Sequence, residues 1–414
     1  MFHTTNNVPS SPEAVKDVLQ EILREGARKM LQEAIHHEVG DYLEKYKEAQ
    51  DDKGHSLAVR NGFLPEREIL TGLGPVKVKQ PRVDDRKLRA AKGIGGFCSQ
   101  ILPPYMRRIP SIDNLIPALY LRGISTGDFP NALSAILGEK AKNLSANTVV
   151  RLKAKWKQEY EQWCARDLSE KEYVYIWVDG IYFNVRLEED RTCILVVMGA
   201  DREGNKVLLG ITDGFRESKL SWGEFLLELK LMGLKAPSLA IGDGALGFWA
   251  ALREVYPTTR EQRCWVHKTA NILNKLPKRA QAKAKTHIHS MYMAETKENA
   301  LEAYEKFRTI YGDKYYRAVQ CLEKNKDQLF TFYDFPAVHW MHIRTTNPIE
   351  STFATVRLRT KRTKGCGSRI TTLTMVFQLA REAQKRWRKL RGSNIIPLVI
   401  EGRKFIDGVL EEAA

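Results

Sequence analysis

The segment KEYVYIWVDGIYFNVRLEEDRTCILVVMG, residues 171–199, contains two runs of alternating β-branched and aromatic residues and one continuous apolar run. These runs are Tyr173 to Val178, Ile181 to Leu187 and Cys193 to Met198, and they predict three strands of one sheet. Strand and helix signals then continue as far as Asp243. Together they predict an α/β sheet with helices packed on it and acidic residues at strand ends, where polar chemistry usually lies.

Asp179, between the first two runs, has two interpretations. Asp-Gly between alternating strands is typical of a type I′ hairpin turn, which needs no further function. The alternative is a functional carboxylate at a strand end. This segment alone leaves both open.

The composition predicts a soluble globular protein with a polyanionic partner. The 414 residues are 43% hydrophobic and 28% charged, and 66 Lys and Arg against 50 Asp and Glu leave a net charge of +16. Such a balance favours nucleic acid as the partner. Because no apolar run has the length of a bilayer span and the N-terminus lacks a signal-peptide pattern, we expect a cytoplasmic protein without a membrane partner.

The six cysteines are scattered singly, which is typical of reduced thiols rather than of a disulfide framework. Cys264 and His267 have a metal-ligand spacing, and His339 and His342 could supply two more ligands. A structural zinc ion and ordinary core or hydrogen-bonding roles are both open for these four residues.

The N-terminal part is predicted to be mainly helical. Apolar spacing predicts a helix within residues 11–48, and Arg67 to Lys79 is predicted to form a β-hairpin around a Gly-Leu-Gly-Pro turn. The basic residues Lys77, Lys79 and Arg82 lie in a phosphate-contacting arm or in a solvated linker. Three helical segments follow in residues 101–168, of which Leu115 to Leu137 is compatible with a DNA-binding helix-turn-helix or with a helical connector.

Further signals surround two more carboxylates. Strands are predicted at residues 206–211, 238–241 and 262–266, a helix at 222–232, and an all-helical module from 268 to about 335. Asp243 follows the second of these strands, and its local alternative is a helix N-cap. Glu350 opens a later helix, and its local alternative is a capping box with Asn347.

Asp179, Asp243 and Glu350 are together the ligand set that a two-metal phosphoryl-transfer site needs, since Mg²⁺ prefers carboxylate oxygen. A basic cluster follows Glu350 directly, and a phosphate backbone nearby explains it better than a solvated face. Its members are Arg357, Arg359, Lys361, Arg362 and Lys364.

Several motifs resemble the Mutator-like DDE transposases of bacterial insertion sequences, which have a ribonuclease-H-like catalytic core. The motifs are YIWVDGIY, IGDGALGFW, QRCWVHKTANILNKLPK, HIRTTNPIESTFATVRLRTKRTKG and LYLRGIST. The resemblance assigns the catalytic, metal-binding carboxylates to Asp179, Asp243 and Glu350, and the family's Cys-x-x-His motif to Cys264 and His267. Ala270 departs from the family pattern, in which many relatives have Arg.

The resemblance implies a division of the chain into five regions. Residues 1–100 and 101–170 would be the DNA-binding and connector regions. Residues 171–267 and 338–414 would form the two parts of a ribonuclease-H-like mixed sheet with flanking helices and basic C-terminal helices. Residues 268–337 would be the all-helical insertion.

The implied function is a transposase that binds the terminal inverted repeats of its element, cleaves strands and joins them to target DNA. Two Mg²⁺ or Mn²⁺ ions would serve each site, His267 would act at its edge, and at least a dimer would hold the paired double-stranded ends, associated with the nucleoid. Arg122, Lys268 and Arg344, within the motifs, would also contact DNA. The alternatives are a catalytically silent repressor and a related nuclease without strand transfer.

Overall fold

The computed structural model describes residues 12–121, 124, 131–132, 146–183, 192–214, 216–362 and 368–411. The chain forms two compact units, Met1–Val150 and Arg151–Ala414. None of the described helices is long and apolar enough to cross a membrane.

The first unit combines helices with two small antiparallel strand pairs. Its elements are α1 (Pro12–Lys45), β1 (Val59–Phe63), β2 (Arg67–Thr71), β3 (Gly74–Val78), β4 (Pro81–Asp84), α2 (Arg86–Lys92) and α3 (Pro110–Leu121). The predicted hairpin is confirmed as β2 and β3, and α1 packs against β3. Buried residues Ile35, Ile69 and Val76 form part of its core.

The pairing of β1 with β4 was not predicted, because neither segment shows the alternation that marks a half-buried strand. All five residues of β1 are exposed. Arg122 and most of the candidate helix-turn-helix lie outside the described residues.

The second unit begins within α4 (Ala146–Cys164) and is built on one five-stranded mixed sheet. Its strands are β5 (Tyr173–Phe183), β6 (Thr192–Asp201), β7 (Lys206–Gly214), β8 (Leu239–Gly242) and β9 (Arg260–Arg263). The order across the sheet is β7-β6-β5-β8-β9. β5, β6 and β7 are antiparallel neighbours, whereas β8 and β9 run parallel to β5. The predicted mixed α/β architecture is therefore confirmed.

The hairpin-turn interpretation of Asp179 is wrong. Asp179 and Gly180 lie inside the continuous strand β5, paired with Val196 and Leu195 of β6. The predicted separate strand from Ile181 is the continuation of β5 as far as Phe183, and residues 184–191 are outside the described part. Pairing along the whole of β6 overrides the local preference of Asp-Gly for a turn.

Helices cover the sheet and form the insertion. They are α5 (Lys219–Leu231), α6 (Leu246–Val255), α7 (Trp265–Leu273), α8 (Lys278–Tyr292), α9 (Lys297–Tyr311), α10 (Tyr316–Glu323), α11 (Lys326–Leu329), α12 (Trp340–Ile343), α13 (Asn347–Arg362), α14 (Arg369–Gln384) and α15 (Ile396–Ile400), followed by the short strands β10 (Phe405–Ile406) and β11 (Val409–Leu410). Residues 268–337, all described, contain helices and no strand, as predicted. β9 ends at Arg263, earlier than predicted, because Trp265 already begins α7.

Candidate active site

The register of the parallel strands brings Asp179 and Asp243 to the same place in the sheet. Trp177 of β5 pairs with Ile241 of β8, so Asp179 and Asp243 each lie two residues beyond a paired position. Side chains two residues apart point to the same face, and neighbouring strands are about 4.8 Å apart. The two carboxylates therefore lie on neighbouring central strands of the sheet, at the point where β8 ends.

The side chain of Asp179 is buried and only partly satisfied. It is 8% exposed; its Oδ1 accepts the Gly180 amide at 2.9 Å, and its buried Oδ2 has no hydrogen-bond partner in the described part of the chain. A buried carboxylate oxygen without a partner is costly, unless a ligand supplies the missing contact.

Burial and the neighbouring charges shift the pKa of Asp179. Burial above all, and then the charge of Asp243, raise this pKa to about 7. Glu217 and Glu350 add to the rise, whereas His267 opposes it. Four carboxylates and one histidine therefore share one electrostatic environment, although they come from distant parts of the chain.

Asp243 forms the turn between β8 and α6, and its N-cap interpretation is wrong. Its Oδ1 accepts the amide of Ala245 at 2.8 Å, but α6 begins only at Leu246 and Ala245 is the residue at the cap. Gly244 has a φ of +95°, and a Cβ there would lie 2.5 Å from the Arg263 guanidinium. Only glycine fits this turn, which holds Asp243 at the end of its strand.

Glu350 lies in the first turn of α13, and its predicted capping box is also wrong. α13 begins at Asn347, so Thr346 takes the cap position, and the Thr346 carbonyl accepts the Glu350 amide at 3.0 Å. Glu350 Oε1 instead accepts the Thr346 hydroxyl at 2.7 Å, and it lies 3.6 Å from His267 Nδ1. The carboxylate thus faces neighbouring functional groups rather than the backbone of Asn347.

Thr346 is fully buried and connects Glu350 to the Cys264-x-x-His267 motif. Its amide donates to Cys264 Sγ at 3.2 Å, and its hydroxyl lies 3.2 Å from the same sulfur and 3.3 Å from His267 Nδ1. The Thr346 hydroxyl has a single proton, and the shortest of its three contacts is the one in which it donates to Glu350 Oε1. Thr346 was not singled out from the sequence.

The ligand atoms of Cys264, His267 and Glu350 lie within 4.8 Å of one another and could hold a metal ion. A hydrogen bond to Cys264 is the main cause that raises the pKa of His267 to about 9, helped by the charges of Glu350 and Asp243 and opposed by burial. Asp179 and Asp243 are not part of this close set. Two ions about 4 Å apart need ligands spread over a wider space than one ion does.

The structure does not support a zinc site that includes His339 and His342. The two nitrogens of buried His339 contact the Tyr175 hydroxyl at 2.7 Å and the Gly392 carbonyl at 3.0 Å. His342 Nε2 accepts the Arg391 amide at 3.3 Å. Both rings therefore make hydrogen bonds within the protein, which was the alternative to a zinc site.

Glu217 is a fourth carboxylate at the site, which the sequence did not reveal. It lies in the loop before α5, over Gly180, on the face of β5 opposite the Asp179 side chain. Burial first, and then the charge of Asp243, raise its pKa to about 7, while a hydrogen bond with Tyr182 opposes the rise. No local pattern marks a glutamate in such a loop.

Two of the predicted DNA contacts are internal in the structure. Lys268 is fully buried and donates to the Lys324 carbonyl, so the prediction that it contacts DNA is wrong; α7 turns this side chain inward beside Trp265. Arg344 is half-buried, and its guanidinium donates to the Tyr292 carbonyl at 2.7 Å.

The other described basic residues lie on the surface. Lys77, Lys79 and Arg82 are exposed on or beside β3 and β4, and Arg357 is exposed on α13. Lys77 lies 3.7 Å from Glu66. Lys364 and the side chains of Arg359, Lys361 and Arg362 lie outside what the structure describes.

The second unit therefore combines a mixed sheet, an acidic site where the central strands β5 and β8 lie side by side, and a helical insertion that follows β9 in the sequence. The chain belongs to the Mutator family of transposases, whose family model matches residues 3–390.

Curated relatives agree with this assignment. The chain is 50% identical over 301 residues to the transposase for insertion sequence element IS6120 of Mycolicibacterium smegmatis, covering 73% of this chain and 93% of the relative. It is 50% identical over 279 residues to the transposase for insertion sequence element IST2 of Acidithiobacillus ferrooxidans, covering 67% and 94%. The transposase for insertion sequence element IS905 of Lactococcus lactis is 28% identical over 352 residues, covering 84% and 85%.

Proposed function

We propose that this protein is the transposase of an insertion sequence, which binds the terminal inverted repeats of its element, cleaves DNA strands and transfers them to target DNA. The observation that carries this proposal is that the charges of Asp243 and Glu350 both act on buried Asp179, whose Oδ2 has no hydrogen-bond partner among the described residues. The family membership of the chain supports it.

Asp179, Asp243 and Glu350 would hold two divalent ions, Mg²⁺ or Mn²⁺, because hard cations prefer carboxylate oxygen. The partnerless Oδ2 of Asp179 and the like charges around it fit a cation. When bound, two such ions stabilise the attacking and the leaving oxygens of phosphoryl transfer. The sheet order and the positions of these residues support a ribonuclease-H-like core.

The remaining roles belong to side chains around the carboxylates. His267 lies 3.6 Å from Glu350 and would orient that carboxylate at the edge of the site, where a scissile phosphate would also lie. Thr346 would fix the rotamer of Glu350 through its 2.7 Å hydrogen bond. No covalent intermediate with the protein is needed.

DNA binding would fall to the two N-terminal regions, 1–100 and 101–170, and to basic residues of α13. An exposed aromatic residue, Phe63, supports this in the first unit, because Arg60 and Lys79 lie over its ring at 4.6 Å and 5.2 Å. Basic and aromatic groups together are typical of nucleic-acid surfaces. Residues 171–267 and 338–414 would form the catalytic core, and at least a dimer would hold two element ends.

The test uses purified protein and DNA that carries one end of the element, in Mg²⁺. We expect nicking at the element end, release of a 3′-hydroxyl, and joining of that end to a target plasmid. Binding without cleavage would indicate the silent repressor, and cleavage without joining would indicate the nuclease. The intact set of carboxylates argues against the repressor.

DNA affinity is expected to fall steeply with salt, because Lys and Arg release condensed counterions from the phosphates that they contact. For about six phosphate contacts, the slope of log K against log salt is roughly −5. Titrating fluorescent DNA at several salt concentrations measures it. Changing exposed Lys79 to alanine should reduce the slope by about 1, whereas a flat salt dependence would exclude DNA as the main partner.

Thr346→Val is expected to reduce strand cleavage by about 10–100-fold, the usual effect of losing a group that orients a metal ligand. Valine keeps the shape of threonine but lacks the hydroxyl that contacts Glu350, His267 and Cys264. Thr346→Ser keeps the hydroxyl and should retain most of the activity. Equal activities of the two variants, measured as initial nicking rates, would show that the hydroxyl has no positioning role.

A further inference from the structure

The start of α7 brings a cysteine and a histidine to one side of the site. Cys264 is the residue at the N-cap of α7, and His267 lies in the first turn of that helix, three residues later. Residues three apart on a helix are neighbours on its surface. The first turn of α13 carries Glu350 to the same place, and the ligand atoms of the three residues lie within 4.8 Å of one another. A sulfur, a nitrogen and a carboxylate oxygen from two separate helices therefore lie together.

The spacing of these atoms suits a tetrahedral zinc ion. Nitrogen and oxygen ligands that lie about 2.0 Å from zinc at tetrahedral angles are roughly 3.3 Å apart. His267 Nδ1 and Glu350 Oε1 are 3.6 Å apart, which is close to that value. The two side chains are 35% and 27% exposed, so an ion can enter from solvent and keep water as its fourth ligand.

Cys264 has the surroundings of a metal-binding sulfur. It is fully buried, and its Sγ accepts the Thr346 amide at 3.2 Å. Hydrogen bonds of this kind, made behind the metal, orient a ligand and tune its affinity. Thiolate and imidazole ligands favour Zn²⁺, whereas Mg²⁺ and Mn²⁺ prefer oxygen. The cluster therefore differs in metal preference from the three carboxylates, although it shares Glu350 with them.

We propose that Cys264, His267 and Glu350 bind Zn²⁺ or a similar thiophilic divalent cation, and that this ion inhibits strand cleavage. The inference rests on the proposed function, in which Glu350 is a ligand of the catalytic ions. A carboxylate held by zinc is withdrawn from a cation bound by Asp179 and Asp243, which lie outside the close set. The charge of the zinc ion also repels a second divalent cation nearby. Cys264 binds as the thiolate, and its proton leaves to solvent.

The test titrates the full-length protein with Co²⁺, which replaces Zn²⁺ as a spectroscopic probe because cobalt bound to a thiolate gives a near-ultraviolet charge-transfer band. We expect a saturable band in the wild type, its loss when Zn²⁺ displaces Co²⁺, and no band in Cys264→Ser. Cys321→Ser changes another free cysteine, on α10, and is the matched control that should keep the band. A wild type without a thiolate band would overturn the zinc site and leave the proposed function standing.

Two further variants leave the sulfur in place and test the other ligands. Glu350→Gln should lower Co²⁺ affinity at least about tenfold, since even changes behind the ligands of a metal cost about 10–100-fold. Asp179→Asn should bind Co²⁺ like the wild type, because Asp179 lies outside the close set. Equal losses in the two variants would show that Co²⁺ binds among the three carboxylates, and would overturn the inference. Circular dichroism and melting temperature check that every variant is folded.

Zinc inhibition is measured as the rate of nicking in Mg²⁺ at increasing Zn²⁺, with each rate taken relative to the same protein without Zn²⁺. Half-inhibition of Cys264→Ser should need at least about tenfold more Zn²⁺ than that of the wild type or Cys321→Ser. Equal sensitivity of the three proteins would overturn the inhibition. A thiolate band without any Mg²⁺-dependent nicking would overturn the proposed function and the inhibition with it, and would leave the zinc site standing.

Discussion

Asp179→Asn is expected to leave the protein folded and bound to DNA, while strand cleavage in Mg²⁺ falls by about a thousandfold or more. Asparagine keeps the oxygen that accepts the Gly180 amide, so β5 retains that contact. It loses the anionic Oδ2, the buried atom that has no hydrogen-bond partner among the described residues. Losing about 4 kcal/mol of transition-state stabilisation is enough for this decrease in rate.

The melting temperature of metal-free Asp179→Asn should not decrease. Burial raises the pKa of Asp179 to about 7, so the folded chain disfavours the ionised form, and this carboxylate lowers stability as the pH rises from about 4 towards 7. A neutral side chain removes that cost. Rates on end-labelled element DNA and melting curves at pH 8 without metal check both expectations. Cleavage close to the wild-type rate would make Asp179 an ordinary strand residue.

Glu350→Gln is expected to lower cleavage and joining to a similar extent, with a near-native melting temperature and unchanged affinity for terminal-repeat DNA. Glutamine keeps an oxygen for the Thr346 hydroxyl, so the first turn of α13 should lose at most about 1 kcal/mol. It gives up the negative charge that binds a divalent ion and that faces His267. The site is damaged while the helix is preserved.

Glu298→Gln is the matched control for this change. Glu298 is also a first-turn glutamate, exposed on α9 in the helical insertion. It should retain wild-type rates, which shows that losing a helix-start glutamate is harmless in itself. If Glu350→Gln and Glu298→Gln were equally active in Mg²⁺, Glu350 would be only a helix-start residue.

The strands of the central sheet could be predicted because their patterns are local. The apolar run at residues 193–198 and the alternation at 173–178 each indicate a strand without knowledge of the rest of the chain. Local patterns could not decide whether Asp179 forms a hairpin turn or lies within a strand. Its hairpin turn is excluded by the pairing of β5 with β6, which depends on residues outside the Asp-Gly step.

The site was predicted only in part, for a similar reason. The three carboxylates were proposed from the family resemblance, whereas the positions of Glu217 and Thr346 become visible only when distant elements pack together. The space over Gly180 defines the place of Glu217, and contacts with Cys264 and His267 define that of Thr346. The family resemblance placed Lys268 among the DNA contacts, but the packing of α7 buries this side chain.

The most direct test of the proposed site is an anomalous difference map at the manganese edge from crystals of the full-length protein grown with Mn²⁺. We predict peaks bound by the carboxylates of Asp179 within β5, Asp243 directly after β8 and Glu350 in the first turn of α13. Absence of density there at saturating Mn²⁺, or a single peak held by Cys264 and His267 away from Asp179 and Asp243, would contradict the metal-dependent transposase that we propose.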